Sequence, residues 1–292
     1  MSEQTVTRQR RPKLEYYKTM WKRLKKNKAA LVGGFLIILF IITAFVGPFL
    51  LSQDPNEVQV ANKLQPPSAE HWFGTDNYGR DIFTRIIYGM ELTLRVGFLS
   101  VAIGGAIGVV FGIVAGYYGG WIDTVIIRVM DVLLAFPGIL LALAIVSVLG
   151  GSLRNVIIAV AIYSVPAFAR IVRGSTLSVR KLEYIDAVRA LGASDTRIIF
   201  KHILPNIMSP IIVQATLRIA TAILTASGLS FLGLGVQPPT PEWGAMMSDG
   251  RNFIVDAPHI ILFPGLMVVI VVLAFNIFGD GIRDAMDPKM NR

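Results

Sequence analysis

Residues 29–51 read AALVGGFLIILFIITAFVGPFLL, an apolar run without one charged side chain. A bilayer core of about 30 Å takes roughly 20 apolar residues of helix to cross. In hydrocarbon only a helix or a closed barrel can satisfy its own backbone, so this run dictates a membrane-spanning helix. It is too long for a signal-peptide core and has no small-residue cleavage site, which makes it a retained anchor. Further runs at 96–117, 133–149, 156–171, 211–236 and 260–278 bring the expected total to six transmembrane helices in an all-α polytopic membrane protein. Only 16% of residues are charged, against about 25% in a soluble domain. There is no cysteine to staple loops, and His71, His202 and His259 are too scattered to hold a metal.

Orientation follows from the basic residues in short flanking segments. Ahead of the first run stand Arg8, Arg10, Arg11, Lys13, Lys18, Lys22, Arg23, Lys25, Lys26 and Lys28, against only Glu3 and Glu15, which places residues 1–28 in the cytoplasm. Counting spans puts 52–95 outside, and over 52–92 Asp54, Glu57, Glu70, Asp76, Asp81 and Glu91 outnumber Lys63, Arg80 and Arg85. Residues 96–278 then form a five-helix core. Its segment 172–206, rich in Arg173, Arg180, Lys181, Arg189, Arg197 and Lys201, returns to the cytoplasm, as does a tail at 279–292. The net charge of +9 is thus a mark of topology, and nucleic acid is excluded as a partner. Residues 121–150 would make about 45 Å of helix. Pro137 and the Arg128/Asp131 pair predict that the first part lies at the cytoplasmic surface before the span begins.

Within the second run Gly104, Gly108, Gly112 and Gly116 recur every four residues and so share one helical face. Lipid provides no hydrophobic drive between helices, and a bare stripe of this kind predicts a close helix–helix contact. In the fifth run Gln214, Arg218, Thr221 and Thr225 also share a face. An arginine inside hydrocarbon costs several kcal/mol unless it meets water, a partner or the interface. The face is therefore a wet pathway wall, or the helix begins well inside the cytoplasm and Arg218 snorkels. No Asp or Glu occupies the middle of any run, which disfavours a carrier driven by protons or sodium.

The segment EYIDAVRALGASDTRIIFKHILPN, residues 183–206, interrupts this apolar chain. Ile185, Ala187, Val188 and Leu191 give a first helix an apolar side, Gly192 ends it, Ser194 with Asp195 caps a second through Ile198, Ile199 and Phe200, and Pro205 closes that one. Such an elbow lies on headgroups or fits a groove on a soluble partner. Outside, GTDNYGRD at 74–81 is a glycine-bounded turn leading to an interfacial helix or a protein contact. Residues 237–253, with Trp243 suited to a membrane interface, read as an outer gate or docking ledge.

The 183–206 segment resembles the cytoplasmic EAA loop of permease subunits of binding-protein-dependent ABC importers. Asp186, Ala187, Val188, Gly192, Leu204 and Pro205 stand in register with the pattern, Asp186 in place of a glutamate and Val188 of an alanine. His202 opens an HILPN ending similar to that of the peptide-transporting branch. The stretches HWFGTDNYGRDIFTRIIYG, SFLGLGVQPPTPEWG and GDGIRDAMDP, with the start YYKTMWKRLKKNKAALVG, are similar to the C-type permease subunit of the dipeptide/oligopeptide/nickel branch.

The resemblance implies a type I importer permease in a bacterial inner membrane, both termini cytoplasmic. It would pair with a second homologous permease and receive solute from an extracytoplasmic substrate-binding protein. Through Asp186, Ala187, Val188, Gly192, Ala193, Ser194, His202, Leu204 and Pro205 it would couple to ATPase subunits, two per transporter. Di- or oligopeptides are the expected solute, nickel or another small solute the alternative. ATP and Mg are expected on the partners and no cofactor in this chain, since it has no GxxxxGK[ST] loop and no Gly-Lys dipeptide. No catalytic residue is expected: a membrane-embedded enzyme would need a nucleophile, base or metal cluster at depth, and a passive channel would lack a docking loop.

Overall fold

The computed structural model describes residues 13–286; the expectations for 1–12 and 287–292 lie outside it. Among the described residues there is no β-strand, only an isolated antiparallel bridge between Thr75 and Asp81. Helix α1 (Lys13–Lys26) leads to α2 (Lys28–Leu50), whose cap Asn27 accepts the Ala30 N–H through its side chain at 3.1 Å. Residues 51–81 form an irregular segment, and α3 (Ile82–Tyr118) follows, capped by Asp81, whose Oδ1 accepts the Thr84 N–H at 2.7 Å.

At 37 residues, or about 55 Å, α3 absorbs residues 82–95 that were expected to lie outside the second span. Arg85, Glu91 and Arg95 mark a boundary in sequence but not in space. Ile82, Ile86, Met90 and Leu94 bury one face at helical spacing, Arg85 is drawn into a buried polar cluster, and Arg95 pairs with Glu91.

Helices α4 (Gly120–Leu134) and α5 (Gly138–Leu149) meet at 88°. The expected span at 133–149 is therefore not one helix. Proline cannot donate the next ladder bond, and it biases the residue before it toward extended backbone, so the chain turns at Phe136–Pro137. With 12 residues, or about 18 Å, α5 is too short to cross alone. Asp123 and Asp131 on α4 pair with Arg173 and Arg170 of α6 (Leu153–Arg180), strapping the first arm of the bend to that helix.

After the elbow helices α7 (Glu183–Ala190) and α8 (Asp195–Ile198) come α9 (Met208–Phe231), the short α10 (Trp243–Gly250) and α11 (His259–Met286). Among the described residues five continuous helices, α2, α3, α6, α9 and α11, are long and apolar enough to cross a bilayer, and the bent α4–α5 pair taken as one broken span makes six. Residues 172–180 prolong α6 rather than beginning the loop, residues 232–236 leave the expected fifth span, and 279–286 prolong α11 rather than forming a tail. That last stretch packs Ala285 against Leu24 and Ala30. The main core threads α2, α3, α5, α6, α9 and α11, with α3 against α6 at its centre.

Candidate functional site

The elbow projects from one end of the bundle. Gly192, at φ +81°, supplies the left-handed turn that ends α7. Its N–H bonds Arg189 O at 2.9 Å and the Ala193 N–H bonds Val188 O at 3.3 Å, the paired closure of a Schellman motif. Ser194 Oγ then accepts the Arg197 N–H at 3.4 Å and opens α8, which passes into a π-helical turn (Ile199–Ile203) and a 3-10 turn (Leu204–Asn206). The expected second helix is thus only four α-helical residues before its pitch changes. Asn206 fastens the turns by donating to Tyr184 Oη at 3.1 Å and to His202 O at 2.5 Å.

Which side faces in differs from the apolar-side expectation. Ile185 is fully buried and Val188 half-buried, but Ala187 is exposed and Leu191 87% exposed. The anchors are Ile185, Ile198, Ile203 and Ile207, which pack with Ile113 and Tyr117 of α3 and Val172 of α6. The opposite surface presents Asp186, Ala187, Leu191, Gly192, Ser194 and Phe200, the last 65% exposed. Ala193, Leu204 and His202 are half-buried, His202 tilted against Tyr184, and Pro205 is exposed. The elbow is thus rooted in the bundle by isoleucines and offers a small outer face carrying two large apolar side chains.

The glycine stripe of α3 lies on α6. A Cβ at Gly104 would stand 2.4 Å from Ala161 O, at Gly108 2.6 Å from Val165 O, at Gly112 2.7 Å from Ala169 O and at Gly116 2.7 Å from Thr176 Cβ. Backbone meets backbone along the whole stripe. The α9 face carries Gln214, Arg218 and Thr225 half-exposed and Thr221 exposed. Arg218 donates to Tyr163 Oη at 3.3 Å, with its guanidinium 5.6 Å from that ring's centroid, and Thr221 donates to Arg218 O. The four share a face, and a partner on α6 already engages its cation.

Sequence reasoning missed a buried polar knot at the opposite end. Arg80 Nε donates to Asp76 Oδ2 at 2.6 Å and reaches Asp249 at 3.3 Å, while Arg85 donates to Pro55 O and Pro239 O. The knot ties the 51–81 segment to the 237–258 segment. Burial pushes the Asp249 carboxyl above its ordinary range, with Arg80 and Arg85 pulling the other way. His71 Nδ1 lies 2.9 Å from Asp81 Oδ2 and His259 Nε2 3.2 Å from Thr75 O, both at this end and far along the fold from His202. No cluster of metal-ligating side chains exists among the described residues.

Trp243 does not sit at an interface. It is fully buried, its Nε1 donating to Ile86 O at 3.0 Å and its ring edge-on to Phe40. Beside it Glu242 caps α10, accepting from the N–H groups of Gly244 and Ala245 at 3.0 and 2.9 Å. Complete burial pushes its carboxyl above the ordinary value, against those bonds and the nearby Ser230 and Thr93 hydroxyls. Glutamate, proline and tryptophan in a loop look like exposed punctuation, and no local signal marks them as core.

Residues 108–292 match the family described as the binding-protein-dependent transport system inner membrane component, and residues 15–67 match the N-terminal TM domain of oligopeptide transport permease C. The chain is 56% identical over 274 residues to the dipeptide transport system permease protein DppC of Alkalihalophilus pseudofirmus, covering 94% of this chain and 90% of that protein. It is 50% identical over 271 residues to the glutathione transport system permease protein GsiD of Escherichia coli, covering 92% and 89%. Among solved structures, the inward-facing MetNI methionine ABC transporter matches with a TM-score of 0.57 at 20% identity, over 70% of this chain and 97% of that one, a likeness of fold. The chain belongs to the inner membrane permease components of binding-protein-dependent ABC importers.

Proposed function

We propose that this permease forms half of a peptide translocation pathway and takes its driving movement through the 183–206 elbow. The elbow's outer face, with Leu191, Phe200 and Asp186 around the Gly192 bend, docks on an ATPase subunit in the cytoplasm. ATP and Mg are held by two such subunits. A second homologous permease completes the pathway, and an extracytoplasmic binding protein delivers solute to the end that carries the Asp76–Arg80–Asp249 knot. Both termini lie in the cytoplasm, on the side of the basic residues that precede α2. A face of Gln214, Arg218, Thr221 and Thr225 lines the route.

The single observation that supports this best is the elbow's two-sidedness. Four isoleucines seat it in the bundle while Leu191 and Phe200 stay in the open. Two exposed apolar side chains flanking a bend of small residues suit a groove on another protein. Peptide as the solute rests on the relatives, whose names record dipeptide and glutathione transport.

Gly192→Val tests it. A Cβ at position 192 meets nothing within 4 Å, so the change adds bulk to the outer face and strains a φ of +81° without disturbing the core. In the assembled importer, uptake of a radiolabelled dipeptide is expected to collapse while membrane insertion persists. Unchanged uptake would contradict the reading.

A further inference from the structure

We infer that Tyr117 and Asp195, with Arg189, form a clamp through which the elbow drives α3 together with α6; the inference rests on the docking reading above. The chain joins the elbow only to α6 on one side and α9 on the other. Helix α3 has no such connection. Tyr117, in its last turn, nevertheless donates its hydroxyl to Asp195 Oδ1 at 2.6 Å, across 78 positions of sequence. The guanidinium of Arg189 stands 5.9 Å from the centroid of the same ring. The ring itself is buried among Ile185, Ile198 and Ile203.

The placement of these contacts is what gives them meaning. Arg189 belongs to α7 and Asp195 to α8, on either side of the Gly192–Ala193 bend, so one tyrosine holds both limbs of the elbow. From outside nothing comes within 4 Å of a Cβ at Gly192, and on the bundle side Tyr117 contacts both limbs. Along the glycine stripe α3 and α6 touch through close backbone contacts. At the elbow end Tyr117 adds a directional bond to an ionised acceptor, the stronger kind of hydrogen bond. Movement imposed on the elbow therefore reaches both helices of the central pair at once. Acting through the elbow, Tyr117 is a positioning residue.

The test is the ratio of solute moved to ATP hydrolysed, measured in proteoliposomes holding the complete importer with a radiolabelled dipeptide. Tyr117→Phe keeps the packed ring and removes only the hydroxyl. Binding-protein-stimulated ATP hydrolysis should stay within about twofold of wild type while uptake per ATP falls about tenfold, the loss expected for one bond to a charged group. A second measurement uses the absence of native cysteine. Tyr117→Cys with Asp195→Cys, joined by a short bifunctional thiol reagent, should keep transporting, because the two positions travel together. A wild-type ratio in Tyr117→Phe overturns the clamp, as does a joined pair whose uptake stops and returns on cleavage. Gly192→Val distinguishes the two readings: if it abolishes uptake while Tyr117→Phe couples normally, docking stands and the clamp falls.

Discussion

Glu242 shows how much a single side chain is asked to do at the end opposite the elbow. It is buried, it closes the first turn of α10 with two backbone bonds, and it shares a small pocket with Thr93, Ser227 and Ser230. Its pKa is raised above 4.5 by burial. The sign follows from linkage: the stability it contributes is full below the unfolded-chain value and is lost as pH rises through the higher folded one. In detergent, the thermal midpoint of the wild type should therefore fall relative to that of Glu242→Gln as pH is raised from about 5 to about 8. At the acid end the variant should be the weaker by about 1 kcal/mol, since an amide accepts only one of the two N–H bonds. Parallel curves would contradict this; Asp249, also raised, is common to both proteins and cancels. Residues governed by local rules were legible in the sequence: Gly192 as a left-handed stop and Ser194 as a cap both stand where capping chemistry puts them. Glu242 and Trp243 were not, because their burial depends on α3, whose Ile86 and Thr93 lie about 150 positions earlier in the chain.

At the scale of elements, the α3–α6 pair is set by the glycine stripe. Valine at Gly112 would place its Cβ 2.7 Å from both Ala169 O and Val172 Cβ, where neither backbone nor a branched side chain yields cheaply. Gly112→Val should cost about 1–3 kcal/mol or more, seen as a lower thermal midpoint of the solubilised protein. Gly174→Ala on the exposed face of α6, where a Cβ meets nothing within 4 Å, should be neutral or stabilising by up to about 1 kcal/mol from helix propensity. Equal stability of the two variants would remove the stripe as the organising contact. The four-residue spacing made this contact legible in advance. Element boundaries were less so. Charge was the main sequence marker of where a span ends, and Arg85 and Arg173 lie within helices because Asp76 and Asp123 on other segments meet them. The α4–α5 bend was half-visible: Pro137 announced a break, but a hydropathy run through 133–149 hides an 88° turn.

Across the whole molecule, two specialised ends are held apart by the spanning helices. One end is a polar knot that binds two irregular segments together through Arg80 and Arg85; the other is the elbow, seated by Ile185, Ile198, Ile203 and Ile207 and clamped by Tyr117. The order of apolar runs and the resemblance over most of the chain conveyed the spans and the elbow, while the knot and the Tyr117 contact, made by residues far apart in sequence, come from packing alone. The proposed seat of the elbow, in the cytoplasm against an ATPase, can be read from Ser194→Cys, at an exposed position of a chain without native cysteine. A thiol-to-amine crosslinker should join position 194 to the ATPase in inverted membrane vesicles, with a yield that changes on adding ATP, while a membrane-impermeant maleimide leaves it unlabelled in intact cells. Labelling from outside the intact cell, with no crosslink from inside, would place the elbow on the outer face and rule out its docking on an ATPase.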